Sequence, residues 1–211
     1  MDEAVAADPQ LAPAVRKAPG QRIPRTVDEA ELAVRAVLGQ QVSIRAARTH
    51  AGRLVAAYGR AVHDPEGTLT HTFPSVQQLA DVDPIHLAVP KARQRTLAAL
   101  VAGLADRSIV LDTGCDWQSA RTQLLALPGV GPWTAEVIAM RGLGDPDAFP
   151  AADLGLRVAA KRLRLPSSQR SLTAASARWR PWRSYATQYL WTTLEHPVNH
   201  WPPQQPSKET A

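Results

Sequence analysis

Leu127-Pro128-Gly129-Val130-Gly131-Pro132 decides how this chain reads. Pro128 cannot continue a preceding helix, because it lacks the N–H and its ring clashes with the turn behind it. Gly129 and Gly131 permit positive φ and let another backbone come close. Pro132 suits the first turn of a following helix, where a missing N–H costs nothing. The stretch is therefore a tight connection between two helices, the second of which opens with unsatisfied amide N–H groups suited to a phosphate. Gly-x-Gly alone is read more readily as a plain turn between helices. The longer string that runs on through Trp133-Thr134-Ala135 moves the balance to DNA binding.

Outward from this hairpin the pattern is helical on both sides. A helix runs from Trp117 or Gln118 to Ala126, and another from Pro132 to Arg141. Upstream, Lys91 to about Asp106 is amphipathic, with Leu97, Leu100, Val101 and Leu104 in phase. Thr26-Val27-Asp28-Glu29 fits a helix start with Thr26 or Asp28 as cap. Gly39 interrupts that helix, and a second stretch runs from Val42 or Ser43 to about Tyr58. Residues 59–74 read as a loop, with short helices opening at Pro74-Ser75-Val76 and at Asp83-Pro84. Downstream, Gly142 to Ala152 is a loop, Asp153 begins a helix to about Arg164, Pro166-Ser167-Ser168 opens another segment, and Trp182 to Glu195 is the last helix.

The organisation expected is an irregular leader over 1–25, a helical domain over 26–196 and a flexible tail over 197–211. No β-hairpin, βαβ pattern or repeat is present, so the predicted class is all-α.

The 211 residues are 45% hydrophobic and 20% charged, enough for a buried core. Lys+Arg 24 against Asp+Glu 19 gives +5, with pI ≈ 9.9, which suits a polyanionic partner. That sign is weak evidence, since nearly all the cations are arginines, as in a high-GC genome. The single cysteine, Cys115, excludes an intrachain disulfide, a Cys₄ zinc site and an iron–sulfur cluster held by four cysteines of this chain. The six histidines show no metal-ligand spacing. No signal peptide or membrane span is legible, so a cytoplasmic, nucleoid-associated setting is the expectation.

Four ordered strings carry a specific resemblance. They are Ala36-Val37-Leu38-Gly39-Gln40-Gln41-Val42-Ser43, the hairpin with Trp133-Thr134-Ala135, the loop Asp147-Ala148-Phe149-Pro150-Ala151-Ala152-Asp153, and Trp179-Arg180-Pro181-Trp182-Arg183-Ser184-Tyr185-Ala186. Together they resemble the helix–hairpin–helix–Gly/Pro–Asp superfamily of DNA glycosylases, and within it the DNA-3-methyladenine glycosylase II family, from about Pro19 to Trp191. The resemblance implies a two-lobed helical fold with the active site in the interlobe cleft, a middle lobe over about 42–141 and a second lobe from both chain ends. Such proteins often carry a small β-sheet domain before this point; its absence here implies a truncation or part of a fused repair protein. The expected molecule is a monomer acting on damaged double-stranded DNA, with no membrane partner.

By position, the resemblance makes Asp153 the catalytic carboxylate. Glycosidic cleavage passes through an oxocarbenium-like state, which a fixed negative charge stabilises. Asp153 also reads as the N-cap of the helix starting at Leu154. Close relatives can carry a second acid where this chain has Ala152. Members that cut the strand place a Schiff-base lysine just before the hairpin-helix Thr; here that residue is Trp133, and no lysine lies between Lys91 and Lys161. The implied activity is hydrolytic excision of alkylated purines without lyase chemistry.

Trp133, Trp191, Gln40 and Val137 fall at base-pocket positions, Val137 where relatives can show an aromatic. Gln41 falls where a side chain wedges into the gap left by the flipped base, with leucine the familiar choice. Pro128, Gly129, Val130, Gly131 and Thr134 are the implied DNA contacts. No cofactor is required, but carbonyls of Leu125, Leu127 and Val130 are the implied holders of a Na+ or K+ ion. Trp117, Trp179 and Trp182 read as core. Two other readings stay open: an inactive helix–hairpin–helix DNA-binding domain, which binds without releasing base, and a helical protein-interaction domain, whose DNA affinity would not fall with salt.

Overall fold

The computed structural model describes residues 1–65, 67, 69–82 and 89–194. Its α3 (Glu29–Leu38) buries Ala33, Val34, Ala36, Val37 and Leu38. Asp28 starts it by accepting the Glu31 N–H at 2.8 Å, so Asp28, not Thr26, is the cap. α3 packs against α6 (Lys91–Ala105) and α8 (Pro132–Ile138). Val34, Val37, Leu97, Leu100, Leu124 and Ile138 form one apolar core. Each fully buried side chain of this size contributes about 1.5–3 kcal/mol, so this cluster fixes the frame around the hairpin.

Around that core lie α4 (Ile44–Tyr58), capped by Ser43, α5 (Val76–Ala80), with a Ser75/Gln78 capping box, and α7 (Trp117–Leu125), capped by Asp116. α8 does not run on as a regular α-helix to Arg141. It passes into a π-helical turn, Ala139–Leu143, that ends on left-handed Gly144. The Thr26 N–H and the Arg25 guanidinium bind the carbonyls of Arg141 and Gly142, tying the start of this unit to that turn.

The chain divides into two compact units, Ile23–Pro150 and a unit made of Met1–Arg22 with the chain from Ala151 onward. The first is wider than the expected 42–141, because α3 belongs to its core and the loop after Gly144 is fastened to it.

The second unit contains α9 (Leu154–Arg162), α10 (Gln169–Ala175), a 3₁₀ turn at Ser176–Trp179 and α11 (Arg183–Thr192). Residues 1–25 are not irregular, as expected from their prolines, but form α1 (Asp2–Ala6) and α2 (Ala12–Lys17). Val5, Leu11 and Val15 are buried, and Asp8 accepts from Trp179 Nε1 at 2.6 Å and Arg178 at 2.7 Å. Pro13 sits in the first turn of α2, where proline is tolerated.

Among the described residues the regular structure is helical, with one isolated bridge between Ala61 and His71. No described helix is long and apolar enough to cross a membrane. The helix expected at Asp83-Pro84 and the tail 197–211 lie outside the described residues.

Candidate active site

The hairpin closes with the Val130 N–H on the Leu127 carbonyl at 3.2 Å. Its two glycines differ. Gly129 has φ +83°, and a Cβ there would stand 2.1 Å from Thr96 Oγ1 on α6, so both conformation and space demand glycine. Gly131 has φ −100° and ψ 175°, an ordinary extended conformation, with nothing within 4 Å of a Cβ. The expectation of positive φ at both is corrected to Gly129 alone. α8 begins with Pro132 in its first turn and no side-chain cap. Pro128 and Gly129 are exposed, whereas Val130 is buried.

Thr134, expected to face DNA, is 2% exposed. Its hydroxyl accepts a hydrogen bond from Gln40 Nε2 at 2.9 Å, and the same amide donates to the Gly129 carbonyl at 3.0 Å. Gln40 thus spans from the α3–α4 turn to the hairpin. Its neighbour Gln41 is exposed and lies between the two helices with φ +52°, a left-handed conformation that costs a non-glycine residue roughly 1–2 kcal/mol. Trp133 and Val137 are half-buried, one turn apart on α8.

An ionic cluster fastens the loop that leads to Asp153. Arg121 on α7 pairs with Glu136 on α8 at 2.9 Å and with Asp145. Burial alone would push the Arg121 guanidinium down, but its hydrogen bonds to Glu136 and Asp145 outweigh this and hold it above its ordinary value. Glu136 also accepts the Phe149 N–H at 2.7 Å, and Asp145 accepts the Asp147 N–H at 2.7 Å. Sequence reasoning missed Arg121 and Glu136. The available signal was a glutamate in the helix just after the hairpin, flanked by Ala135 and Val137, with an arginine in the helix before it.

Asp153 caps α9, with Oδ1 accepting the Leu156 N–H at 2.7 Å. The same oxygen accepts the Trp191 indole Nε1–H at 2.9 Å. Gly155 lies under this pair, since its Cβ would meet Asp153 Oδ1 at 3.2 Å and Trp191 Cδ1 at 3.8 Å. The structure therefore brings together two predicted site residues distant in sequence, Asp153 and Trp191, and separately Gln40, Gly129 and Thr134. Trp179 is buried, but Trp117, read as core, is 39% exposed because it opens α7 at the surface. Among the described residues no three or more His, Cys, Asp or Glu side chains gather to hold a metal.

Residues 34–184 match the model of the HhH-GPD superfamily base excision DNA repair protein family. The chain is 79% identical over 203 residues to the probable bifunctional transcriptional activator/DNA repair enzyme AlkA of Mycobacterium tuberculosis (strain CDC 1551 / Oshkosh), covering 96% of this chain and 41% of that protein. It is 34% identical over 180 residues to DNA-3-methyladenine glycosylase 2 of Escherichia coli (strain K12), covering 83% of this chain and 61% of that one. Its fold matches that of the Clostridium acetobutylicum 8-oxoguanine glycosylase/lyase in complex with dsDNA, with TM-score 0.78 at 20% identity, over 91% of this chain and 68% of the other. The chain spans less than two thirds of the length of both relatives. With hairpin, Gly/Pro loop and capping aspartate all present in order, this chain belongs to the HhH-GPD superfamily of base excision DNA repair proteins.

Proposed function

We propose that this chain hydrolyses the N-glycosidic bond of alkylated purines in duplex DNA, with Asp153 at the reaction centre. The observation that carries this reading is the Asp153 carboxylate held at the head of α9 by the Leu156 N–H and the Trp191 indole. A carboxylate so oriented needs no reorganisation to stabilise positive charge developing on a sugar. The name of the Escherichia coli relative, a DNA-3-methyladenine glycosylase, supplies the base class.

The target nucleotide must first leave the stack. Alkylation at purine N3 or N7 makes the base cationic and a better leaving group. The C1′–N9 bond breaks with its electron pair going to the purine. The oxocarbenium-like sugar is stabilised by Asp153, water adds at C1′, and its proton passes to solvent. The products are free base and an abasic site in an unbroken strand. Trp191, beside the carboxylate, and Trp133 and Val137 on α8 are the proposed base-contacting residues. An indole face attracts a cationic ring by up to about 2 kcal/mol when desolvated. Trp133 in place of a lysine removes the amine that Schiff-base strand cleavage requires.

The hairpin, Pro128 through Gly131, is the proposed phosphate contact, and Gln41 the side chain that fills the vacated stack. A sodium or potassium ion at the hairpin would be held by the carbonyls of Leu125, Leu127 and Val130, an all-oxygen set suited to a hard cation. Leu127 O already accepts the Val130 N–H, and a carbonyl has a second lone pair to offer. Such an ion would draw a phosphate towards the hairpin by its charge.

The test is release of base from methylated duplex DNA, with products identified, by the wild-type chain and by Asp153→Asn. Wild type is expected to release alkylated purine and Asp153→Asn to be slower by about 10²-fold or more, the scale of losing a preorganised electrostatic group. Salt-dependent DNA binding by wild type with no base release would overturn the enzymatic reading in favour of an inactive binding domain.

A further inference from the structure

We infer that Gln40 is a positioning residue, a latch that locks the left-handed turn carrying Gln41 to the phosphate-binding hairpin, so that gripping the backbone and displacing a base are mechanically one event. The inference rests on the roles proposed above for the hairpin and Gln41.

Gln40 is pinned at both its side chain and its backbone. Its Nε2 has two hydrogens, and two acceptors are in reach, Gly129 O at 3.0 Å and Thr134 Oγ1 at 2.9 Å. Its own carbonyl accepts from the Arg93 guanidinium, from the first turn of α6. The same helix supplies Thr96, packed under Gly129. Three segments far apart in sequence, the 39–42 turn, the start of α6 and the hairpin, thus meet at one residue.

Both donors of Nε2 are committed to the protein, which leaves Oε1 as the part of the amide that could meet a base. This use of Nε2 also explains why the donor must be an amide: a carboxylate of the same shape has no hydrogen to offer Gly129 O. Gln41 follows directly, exposed and left-handed at φ +52°. A non-glycine residue keeps that conformation only when its surroundings over-determine it. Gln40 is the neighbour that is fixed on both sides. Force on Gln41 as it enters a duplex is therefore passed to the hairpin, where phosphate contacts oppose it.

The test uses the full chain and a duplex with 2-aminopurine as the target base. Anisotropy of a labelled copy reports binding, and 2-aminopurine fluorescence reports unstacking. For Gln40→Ala and the isosteric Gln40→Glu, affinity is expected to stay within about threefold, since phosphate contacts carry it. The unstacked population should fall by about tenfold or more, as loss of two hydrogen bonds of ordinary strength requires. Thr134→Val, which removes one acceptor at nearly constant volume, should give an intermediate fall. Full unstacking in all three variants, or binding and unstacking lost in parallel, would overturn the latch. Wild type that binds but never unstacks the base overturns it as well, while sparing the hairpin's role. Wild type that fails to bind DNA overturns the functional reading and the latch together.

Discussion

Trp191 Nε1 donates to Asp153 Oδ1 at 2.9 Å, on the oxygen that also receives the Leu156 N–H at 2.7 Å. One oxygen therefore serves both the end of α9 and the aromatic residue of α11. The capping and catalytic readings of Asp153 are compatible, because the cap is part of what aims the carboxylate.

Trp191→Phe keeps an aromatic ring and deletes the donor. A hydrogen bond to a charged group is worth about 1.5–3 kcal/mol, so the single-turnover rate of base release should fall by roughly 10–100-fold. Equal rates for Phe and Trp would mean that the ring alone matters. Asp153→Asn, whose amide oxygen still accepts from Leu156, should keep its unfolding free energy within about 1 kcal/mol of wild type, the typical worth of a whole cap.

The two hairpin glycines should separate in opposite assays. Gly129→Ala meets Thr96 and an unfavourable φ, so urea unfolding should show a loss of about 2 kcal/mol or more. Gly131→Ala has room in the protein and should leave stability within about 0.5 kcal/mol. Its methyl would stand at the proposed phosphate contact, so DNA affinity should drop at unchanged stability. A stable Gly129→Ala would contradict the packing against Thr96.

Arg121→Met should be among the most damaging substitutions away from the reaction centre. Asp145 is 4% exposed, and removing Arg121 takes a close cation from a buried carboxylate and from Glu136. Breaking a buried pair from one side costs about 3–5 kcal/mol. Arg121→Met combined with Asp145→Asn should recover part of that loss in chemical denaturation. A cost below 1 kcal/mol for the single variant would show that the cluster holds the loop only weakly.

Borohydride added during reaction with damaged duplex should trap no covalent protein–DNA adduct. The hairpin helix has Trp133 where a lysine would be needed, and no lysine occurs between Lys91 and Lys161. An adduct detected by gel shift would refute hydrolytic excision as the only chemistry.

Helix starts were legible wherever a short polar side chain preceded an apolar period: Asp28, Ser43, Ser75, Asp116, Asp153 and Ser168 all cap in the structure. Asp153 was legible because its loop and its helix are local signals. The irregular leader expected over 1–25 holds two helices because proline density masks them, whereas Val5, Leu11 and Val15 are buried in a unit completed by residues more than 130 positions away. The Arg121–Glu136–Asp145 cluster and the Gln40 contacts escape a sequence reading for a related reason. Each charged or polar group looked solvated in its own helix, turn or loop, and only tertiary packing brings these partners to it. The left-handed conformation of Gln41 has no local signal, since nothing in its neighbours announces a glutamine at positive φ.

The placement of α1 and α2 also bears on how the chain comes off the ribosome. Asp8 must wait for Trp179, and Asp2 for the Tyr189 hydroxyl, which it meets at 2.9 Å. Ile23–Pro150 is contiguous and can fold as soon as it emerges, whereas the unit holding Asp153 needs both ends of the sequence. Closing so long a loop is slow because its entropy cost precedes any contact. During synthesis the unit that holds the hairpin is thus complete before the unit that holds Asp153.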